Sequence, residues 1–75
     1  MATVQVDARG LKCPMPVLKM TEKLVKREVQ AGDVLEVTAD CDTFEQDARD
    51  WCQKFKKVLI VVRAQGAAKV VQVQI

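Results

Sequence analysis

The sequence predicts an α/β two-layer sandwich, in which a four-stranded mixed sheet carries two helices on one face. Three observations predict this fold class. The spacing of apolar residues alternates between the strand period of two and the helix period of 3.6, in the order βαβαββ. Three of the four strand segments keep one polar face, so that helices cover only one side of the sheet. A helical segment separates the first two strands, which predicts a parallel pair joined by a right-handed crossover.

The first half of the chain predicts a strand, a helix and a second strand. Residues 2–8 alternate, and their apolar side consists of Ala2, Val4, Val6 and Ala8. Residues 14–30 have helical spacing, and Gly32 is predicted to end the helix. The predicted apolar stripe of this helix consists of Val17, Leu18, Thr21, Leu24, Val25 and Val29. Residues 33–39 alternate again, with Leu35, Val37 and Ala39 on the buried side.

The second half predicts a helix and two strands. Thr43 and Gln46 have the spacing of a capping box that opens the second helix. The apolar face of that helix consists of Phe44, Ala48, Trp51, Cys52 and Phe55. Residues 57–63 are apolar on both faces, which predicts either a central strand or a strand partly exposed at a contact surface. After a turn at Gln65 and Gly66, residues 68–75 predict the last strand.

Composition excludes most classes of enzyme. The chain has 75 residues, of which 49% are hydrophobic, and this predicts one globular domain over residues 1–75. It contains no His and no Ser, so that neither a Ser-His-Asp triad nor a Cys-His dyad is possible within one chain. The chain has only three glycines, at positions 10, 32 and 66, so neither a Rossmann fingerprint nor a P-loop is present. It has no C-x-x-C pair and no His, so no zinc motif is present either. We therefore expect no metal and no organic cofactor, and cysteine is the candidate nucleophile.

The three cysteines differ in their sequence surroundings. Their odd number and the absence of an export signal predict free thiols in the cytoplasm. Cys52 lies between Trp51 and Phe55 on an apolar helix face and is predicted to belong to the core. Cys41 lies between two aspartates that disfavour a thiolate, and is interpreted as a thiol of a surface loop. The alternative for Cys41 is a role as the resolving partner of Cys13.

Cys13 lies where the first strand joins the first helix, between Lys12 and Pro14. Pro14 suits the first helical position, which places Cys13 at the N-cap, and Pro16 removes a further amide donor. The amides of Met15 and Val17 are then predicted to point toward the cap. A helix N-terminus and nearby cations favour a thiolate, so that Cys13 is interpreted as reactive and as the only functional thiol. The alternative is a buried, inert cysteine.

Charge is unevenly distributed along the chain and suggests a docking surface for proteins. Basic residues dominate positions 8–30 and acidic residues dominate positions 31–52. The predicted partner surface around Cys13 consists of Arg9, Lys12, Lys19 and Lys23. No aromatic side chain is left to stack on bases, so direct nucleic-acid binding is not expected, and no segment is apolar enough for a membrane. A monomer is expected, although the apolar 57–63 strand argues against it.

The segment Leu11-Lys12-Cys13-Pro14-Met15-Pro16, which follows Gly10, resembles the CPxP motif of the TusA/SirA-like sulfur carriers. The resemblance covers nearly the whole chain. Its further points are Gly32-Asp33, Asp40 at the end of the second strand, and Asp47 before Trp51-Cys52. It implies a small cytoplasmic protein in which Cys13 carries sulfane sulfur as a persulfide, supported by Gly10, Pro14, Pro16 and Asp40.

The resemblance also implies partners. A cysteine desulfurase or a rhodanese-like protein would charge Cys13, and an acceptor sulfur carrier would receive the sulfur. The pathway served would be tRNA thiolation, molybdenum cofactor synthesis or sulfur oxidation. The alternative function is a non-catalytic regulatory module that binds RNA or protein through the basic face of the first helix.

Overall fold

The computed structural model describes residues 2–12 and 15–75. Its elements follow the predicted βαβαββ order. They are β1 (Thr3–Asp7), α1 (Met15–Val25), β2 (Val34–Ala39), α2 (Phe44–Phe55), β3 (Val58–Gln65) and β4 (Ala68–Gln74).

The four strands form one mixed sheet in the order β1-β2-β4-β3. β1 and β2 are parallel, with Val6 opposite Val37, and the other two pairs are antiparallel. Because β1 and β2 are parallel, α1 lies in the crossover between them, and the carboxyl ends of both strands lie at the same edge of the sheet. This edge is where the loop that contains Cys13 begins.

The two faces of the sheet differ in chemistry, as the alternating strands predict. The helix-covered face contributes Leu35, Val37, Val71 and Val73 to the core, and the helices contribute Met20, Phe44, Ala48, Trp51 and Cys52. On the opposite face, the amides of Gln5 and Gln72 donate to the Glu36 carboxylate at 3.2 and 2.7 Å. The two-layer sandwich with both helices on one face is therefore confirmed.

Helix α1 ends earlier than predicted. The structure ends it at Val25, well before Gly32. Arg27 adopts a left-handed φ of 57°, and the Glu28 amide donates to the Lys23 carbonyl at 3.0 Å. This is the hydrogen-bonding pattern of a helix stop that glycine usually provides, formed here at an arginine. Gly32, with φ of 93°, lies instead in the turn before β2.

The buried face of α1 is also rotated from the predicted stripe. Leu18 and Val25 are 51% and 73% exposed, whereas Met20 is fully buried. Met20 lies three residues after Val17 and four before Leu24, so a stripe centred on Met20 has ideal helical spacing. The predicted core positions of Leu18 and Val25 were therefore wrong, because 3.6 residues per turn place them roughly 160° and 140° around the helix from Met20.

Strand β3 lies at the edge of the sheet. Of the two placements predicted for it, a central strand and a partly exposed strand, the second is correct. Val58 and Ile60 are 63% and 48% exposed. The pairing with β4 shifts register between Leu59 and Val61. Such irregularities are common on edge strands, where they hinder pairing with another chain.

The start of α2 differs from the predicted capping box. Thr43 is the N-cap residue, but it makes no side-chain capping bond within the described part of the chain. Its hydroxyl donates to the Asp47 carboxylate at 3.0 Å instead. The acidic side chains of Glu45 and Asp47 lie in the first turn, where they complement the helix dipole.

Candidate functional site

Two loops meet at the carboxyl edge of β1 and β2, and their described residues, 8–12 and 40–43, are called the site edge below. The Ala8 amide donates to the Thr38 carbonyl at 2.7 Å, which extends the strand pairing into the first loop. The Leu11 amide then donates to the Ala8 carbonyl at 3.3 Å, closing a tight turn in which Gly10 has φ of 83°. Such a φ favours glycine, and open α/β sheets bind ligands at this kind of edge.

A hydrogen bond joins the two loops. The Gly10 amide donates to Oδ1 of Asp40 at 3.0 Å. Beside it lies a depression of about 450 Å³, lined by Gly10, Leu11, Lys12, Asp40, Cys41 and Asp42. Gly10 and Asp40, both selected from the sequence as supporting residues, are thus in direct contact and hold the loop before Cys13 against the loop after β2.

Cys13 and Pro14 lie outside the described residues, so their predicted N-cap and first-turn positions stay predictions. The residues on either side are described. The Met15 amide donates to the Lys12 carbonyl at 2.8 Å, and is therefore not available to a thiolate, contrary to the prediction. Pro16 is fully buried and anchors the first turn of α1 in the core.

Arg9 is paired with Asp7, which compensates much of its charge. The guanidinium donates from Nε to Oδ1 at 2.9 Å and from Nη2 to Oδ2 at 3.0 Å, and the Arg9 amide donates to Oδ1 at 3.2 Å. These hydrogen bonds from Arg9 lower the pKa of Asp7 to about 2, and Asp7 in turn raises the pKa of Arg9. Arg9 lines a different depression from Lys12, on the open face of the sheet with Gln5 and Glu36.

The lysines of the predicted partner surface differ in their ion pairs. Lys23 Nζ lies 3.1 Å from a carboxylate oxygen of Glu28. Lys12 and Lys19 have no ion-pair partner within residues 2–12 and 15–75. Lys19 and Lys23 are four residues apart and therefore lie on one side of α1. Among the four selected basic residues, Lys12 and Lys19 thus retain the least compensated positive charge.

Cys41 and Cys52 occupy different environments. Cys52 is a free thiol with 4% exposure, and burial raises its pKa, which confirms its predicted place in the core. Cys41 is half-buried, lines the depression with Lys12, and has its Sγ 3.9 Å from Oγ1 of Thr43. Cys41 is disulfide-bonded in the structure, so the prediction that its thiol is free was wrong.

An apolar groove between the two helices was not predicted from the sequence. It has a volume of about 390 Å³, and its lining includes Val17, Leu18, Thr21, Trp51 and Phe55. The Trp51 indole donates to the Thr21 hydroxyl at 2.8 Å and joins the helices beside it. The groove was missed because Leu18 was assigned to the core, and centring the α1 stripe on Met20 would have placed Leu18 outside it.

Comparison with known proteins supports the resemblance stated above. A family model described as "Sulfurtransferase TusA" matches residues 4–75. A relative from Archaeoglobus fulgidus, named "Putative sulfur carrier protein", is 35% identical over 60 residues, which are 80% of this chain and 80% of that protein. A relative of the same description from Bacillus subtilis is 32% identical over 65 residues, or 87% of this chain. The chain spans only 34% of the length of that second protein.

A solved structure agrees with the fold. The crystal structure of a SirA-like protein from Desulfitobacterium hafniense superposes with a TM-score of 0.74 and 25% sequence identity, covering 97% of this chain and 95% of that one. The family model spans nearly the whole chain, and the Archaeoglobus relative is matched over most of its length. The chain therefore belongs to the sulfurtransferase TusA family, whose relatives named here are described as sulfur carriers.

Proposed function

We propose that the protein is a cytoplasmic sulfur carrier, which accepts sulfane sulfur as a persulfide on Cys13 and relays it to an acceptor protein. The observation that carries the proposal is the hydrogen bond that holds the loop before Cys13. This chain belongs to the family, and its Gly10 amide donates to Asp40 at the carboxyl edge of two parallel strands. This bond fixes the path of the chain up to Lys12, beside an open depression that a partner's thiol can enter.

The proposed reaction consists of two exchanges of the same kind. The Cys13 thiolate attacks the terminal sulfur of a donor persulfide, so that a new sulfur–sulfur bond forms at Cys13. The old bond breaks, and the donor leaves as a thiolate. An acceptor thiolate then attacks the outer sulfur on Cys13 and releases the Cys13 thiolate. Each step conserves oxidation state, so that neither an oxidant nor a cofactor takes part.

The surroundings of Cys13 suit such an exchange. Lys12 lines the depression and is the residue next to Cys13 in the chain, so its positive charge favours the Cys13 thiolate. Pro16 is buried, so the first turn of α1 is held in place, while Gly10 and Lys12 in the described part of the preceding loop are exposed. Lys19 and Lys23, one and two turns further along α1, would steer an acidic partner toward this edge.

We further propose that residues 1–75 act as one carrier domain and as a monomer. The donor would be a cysteine desulfurase or a rhodanese-like protein, and the acceptor another sulfur carrier serving tRNA thiolation, molybdenum cofactor synthesis or sulfur oxidation. None of the helices in the described ranges could cross a membrane. The competing function, a regulatory module that binds protein or RNA, needs no sulfur chemistry at Cys13.

The test is to load the protein with a cysteine desulfurase and cysteine, and to measure intact mass and free sulfide. Starting from reduced protein, we expect a gain of about 32 Da at early times, before any release of sulfide, in the wild type and in Cys52→Ala. Cys13→Ser should show neither. Trypsin separates the three cysteines into peptides 13–19, 28–49 and 50–54, which locates the sulfur. If no sulfur is gained from several donors, the carrier function is wrong and the binding module is favoured.

A further inference from the structure

We propose that Cys41 is a resolving thiol, which discharges the Cys13 persulfide as sulfide and leaves a disulfide between Cys41 and Cys13. This inference rests on the proposed function, because it requires that Cys13 carries the persulfide. It adds an activity to the carrier: removal of sulfur for which no acceptor is available. It also replaces the sequence-based prediction that Cys13 is the only functional thiol.

The placement of the two loops carries the inference. Cys41 lines the same depression as Lys12, and Cys13 is the next residue of the chain, one Cα step of about 3.8 Å away. The bond from the Gly10 amide to Asp40 holds the two loops together one residue before Cys41. A disulfide requires Cα atoms within about 7 Å of each other, and the proposal requires Cys13 and Cys41 to reach that separation.

The state of Cys41 is a second, independent observation. Cys41 is disulfide-bonded in the structure, which is the oxidation state in which the proposed step leaves it. Cys52 provides the contrast, because it is a free thiol within the core and burial raises its pKa. Of the two cysteines in the described ranges, only Cys41 lies at the site edge.

The proposed step balances without an external oxidant. The Cys41 thiolate attacks the inner sulfur of the Cys13 persulfide, forming the bond between the two Sγ atoms. The bond from Cys13 to its outer sulfur breaks, and that sulfur leaves as hydrosulfide. The sulfane sulfur gains two electrons and is reduced to sulfide, while the two cysteines are oxidised to a disulfide. A dithiol reductant then restores both thiols before the next loading.

The charges at the site edge would keep this discharge slower than productive transfer. Asp40 and Asp42 flank Cys41, and both line the depression. Negative charges disfavour a neighbouring thiolate, and therefore lower the reactivity of Cys41 toward the persulfide. An acceptor that docks on the edge with a ready thiolate would take the sulfur first, and Cys41 would act when no acceptor arrives.

The experiment compares the wild type with Cys41→Ser, and uses Cys52→Ala as the matched cysteine control. Each protein is fully reduced, desalted without oxygen and loaded with inorganic polysulfide in the absence of an acceptor. Sulfide and intact mass are followed over time. Wild type and Cys52→Ala should release sulfide roughly tenfold faster than Cys41→Ser, since the attack is intramolecular. Both should end about 2 Da below their reduced masses, whereas Cys41→Ser should keep a gain of about 32 Da.

The outcomes separate this inference from the proposed function. If Cys41→Ser and wild type hold the added sulfur equally and release equal sulfide, the carrier stands and the resolving role is wrong. If sulfur is found on peptide 28–49 without sulfide, Cys41 relays sulfur, and the resolving role is again wrong. If no variant gains sulfur, both proposals fail.

A second measurement tests the pairing without any persulfide. The reduced wild type is oxidised with diamide and digested with trypsin under non-reducing conditions. Peptides 13–19 and 28–49 should be joined in the wild type and in Cys52→Ala. If either peptide is instead joined to 50–54, or if both stay unlinked, the proposed pairing is overturned.

Discussion

The site edge and the core each contain a cysteine, and the contrast between the two shows how position decides what a thiol does. Cys41 precedes α2 in a half-buried loop beside Lys12, whereas Cys52 lies within α2 and is almost fully buried. Cys41 is disulfide-bonded and Cys52 is free. The side chains are identical, so the difference comes entirely from what surrounds them.

The contrast extends to the interactions around each cysteine. The core around Cys52 is held by packing and by the hydrogen bond from Trp51 to Thr21. The site edge is held by hydrogen bonds and ion pairs that remain exposed, such as the bond from Gly10 to Asp40. We therefore expect changes at the edge to alter sulfur chemistry more than stability, and changes in the core to do the reverse.

The largest expected effect is the loss of sulfur transfer in Cys13→Ser. A hydroxyl cannot form a persulfide, so transfer from a loaded donor to an acceptor should fall to the background rate. Cys52→Ala should transfer at the wild-type rate, because Cys52 lies in the core and not at the edge. The measurement is the rate of labelled-sulfur transfer. Transfer that survives in Cys13→Ser would show that the carrying thiol lies elsewhere.

The next effect sharpens the contrast through stability. Cys52→Ala removes a buried sulfur atom and should lower the free energy of unfolding by about 1 kcal/mol, from lost burial and the cavity left behind. Cys41→Ala should change it by less than about 0.5 kcal/mol under reducing conditions, since that site is half-exposed and relaxes into solvent. Urea denaturation in the presence of a reductant measures both. Equal losses would mean that the loop of Cys41 is part of the core.

The elements that the sequence predicted well are those with a single strong period. β1 and β2 alternate between apolar and polar residues, and α2 repeats its apolar residues at helical spacing. The structure buries Val6, Leu35 and Phe44 as expected. The buried face of helix α1 was harder to predict, because apolar residues lie on more than one side of this helix. Packing against α2 and the sheet selected Met20, and no local pattern showed that Arg27 would end the helix.

The candidate site divides in a similar way. The shared edge of the two loops follows from the parallel strands, but Gly10 and Asp40 were selected through the family resemblance, and their contact was not predicted. Pairing of side chains was not predictable, because it depends on the fine path of each loop. The Arg9 guanidinium is bonded to Asp7, and the Met15 amide is bonded to the Lys12 carbonyl. The sequence alone had predicted that both groups face Cys13.

A smaller effect is expected from reversing charge on α1. Lys19→Glu combined with Lys23→Glu should slow transfer from an acidic partner by about two- to tenfold at low salt, because long-range attraction raises the association rate. The difference should shrink at high salt, where the screening length falls to about 3 Å. The matched control is Lys54→Glu with Lys56→Glu, which makes the same charge change at the end of α2.

That comparison requires a fold check, because Lys23 is paired with Glu28. Reversing Lys23 places two carboxylates together and should cost a few tenths of a kcal/mol, which circular dichroism and urea denaturation would report. If the α1 double variant and its control show the same rates and the same salt dependence, the basic side of α1 is solvated surface and does not bind a partner.

The smallest expected effect is that of the exposed pair between Asp7 and Arg9. Arg9 lowers the pKa of Asp7 to about 2 from the ordinary 3.8, so the pair stabilises the fold above pH 3.8. That stabilisation is lost as the pH falls through the folded value. Asp7→Asn should therefore lower the melting temperature slightly and by a constant amount near neutral pH, and the difference from wild type should vanish toward pH 2. Arg9→Gln should do the same without adding to Asp7→Asn in the double variant. A difference that persists or grows on acidification would mean that Asp7 acts through its backbone turn, and not through its charge.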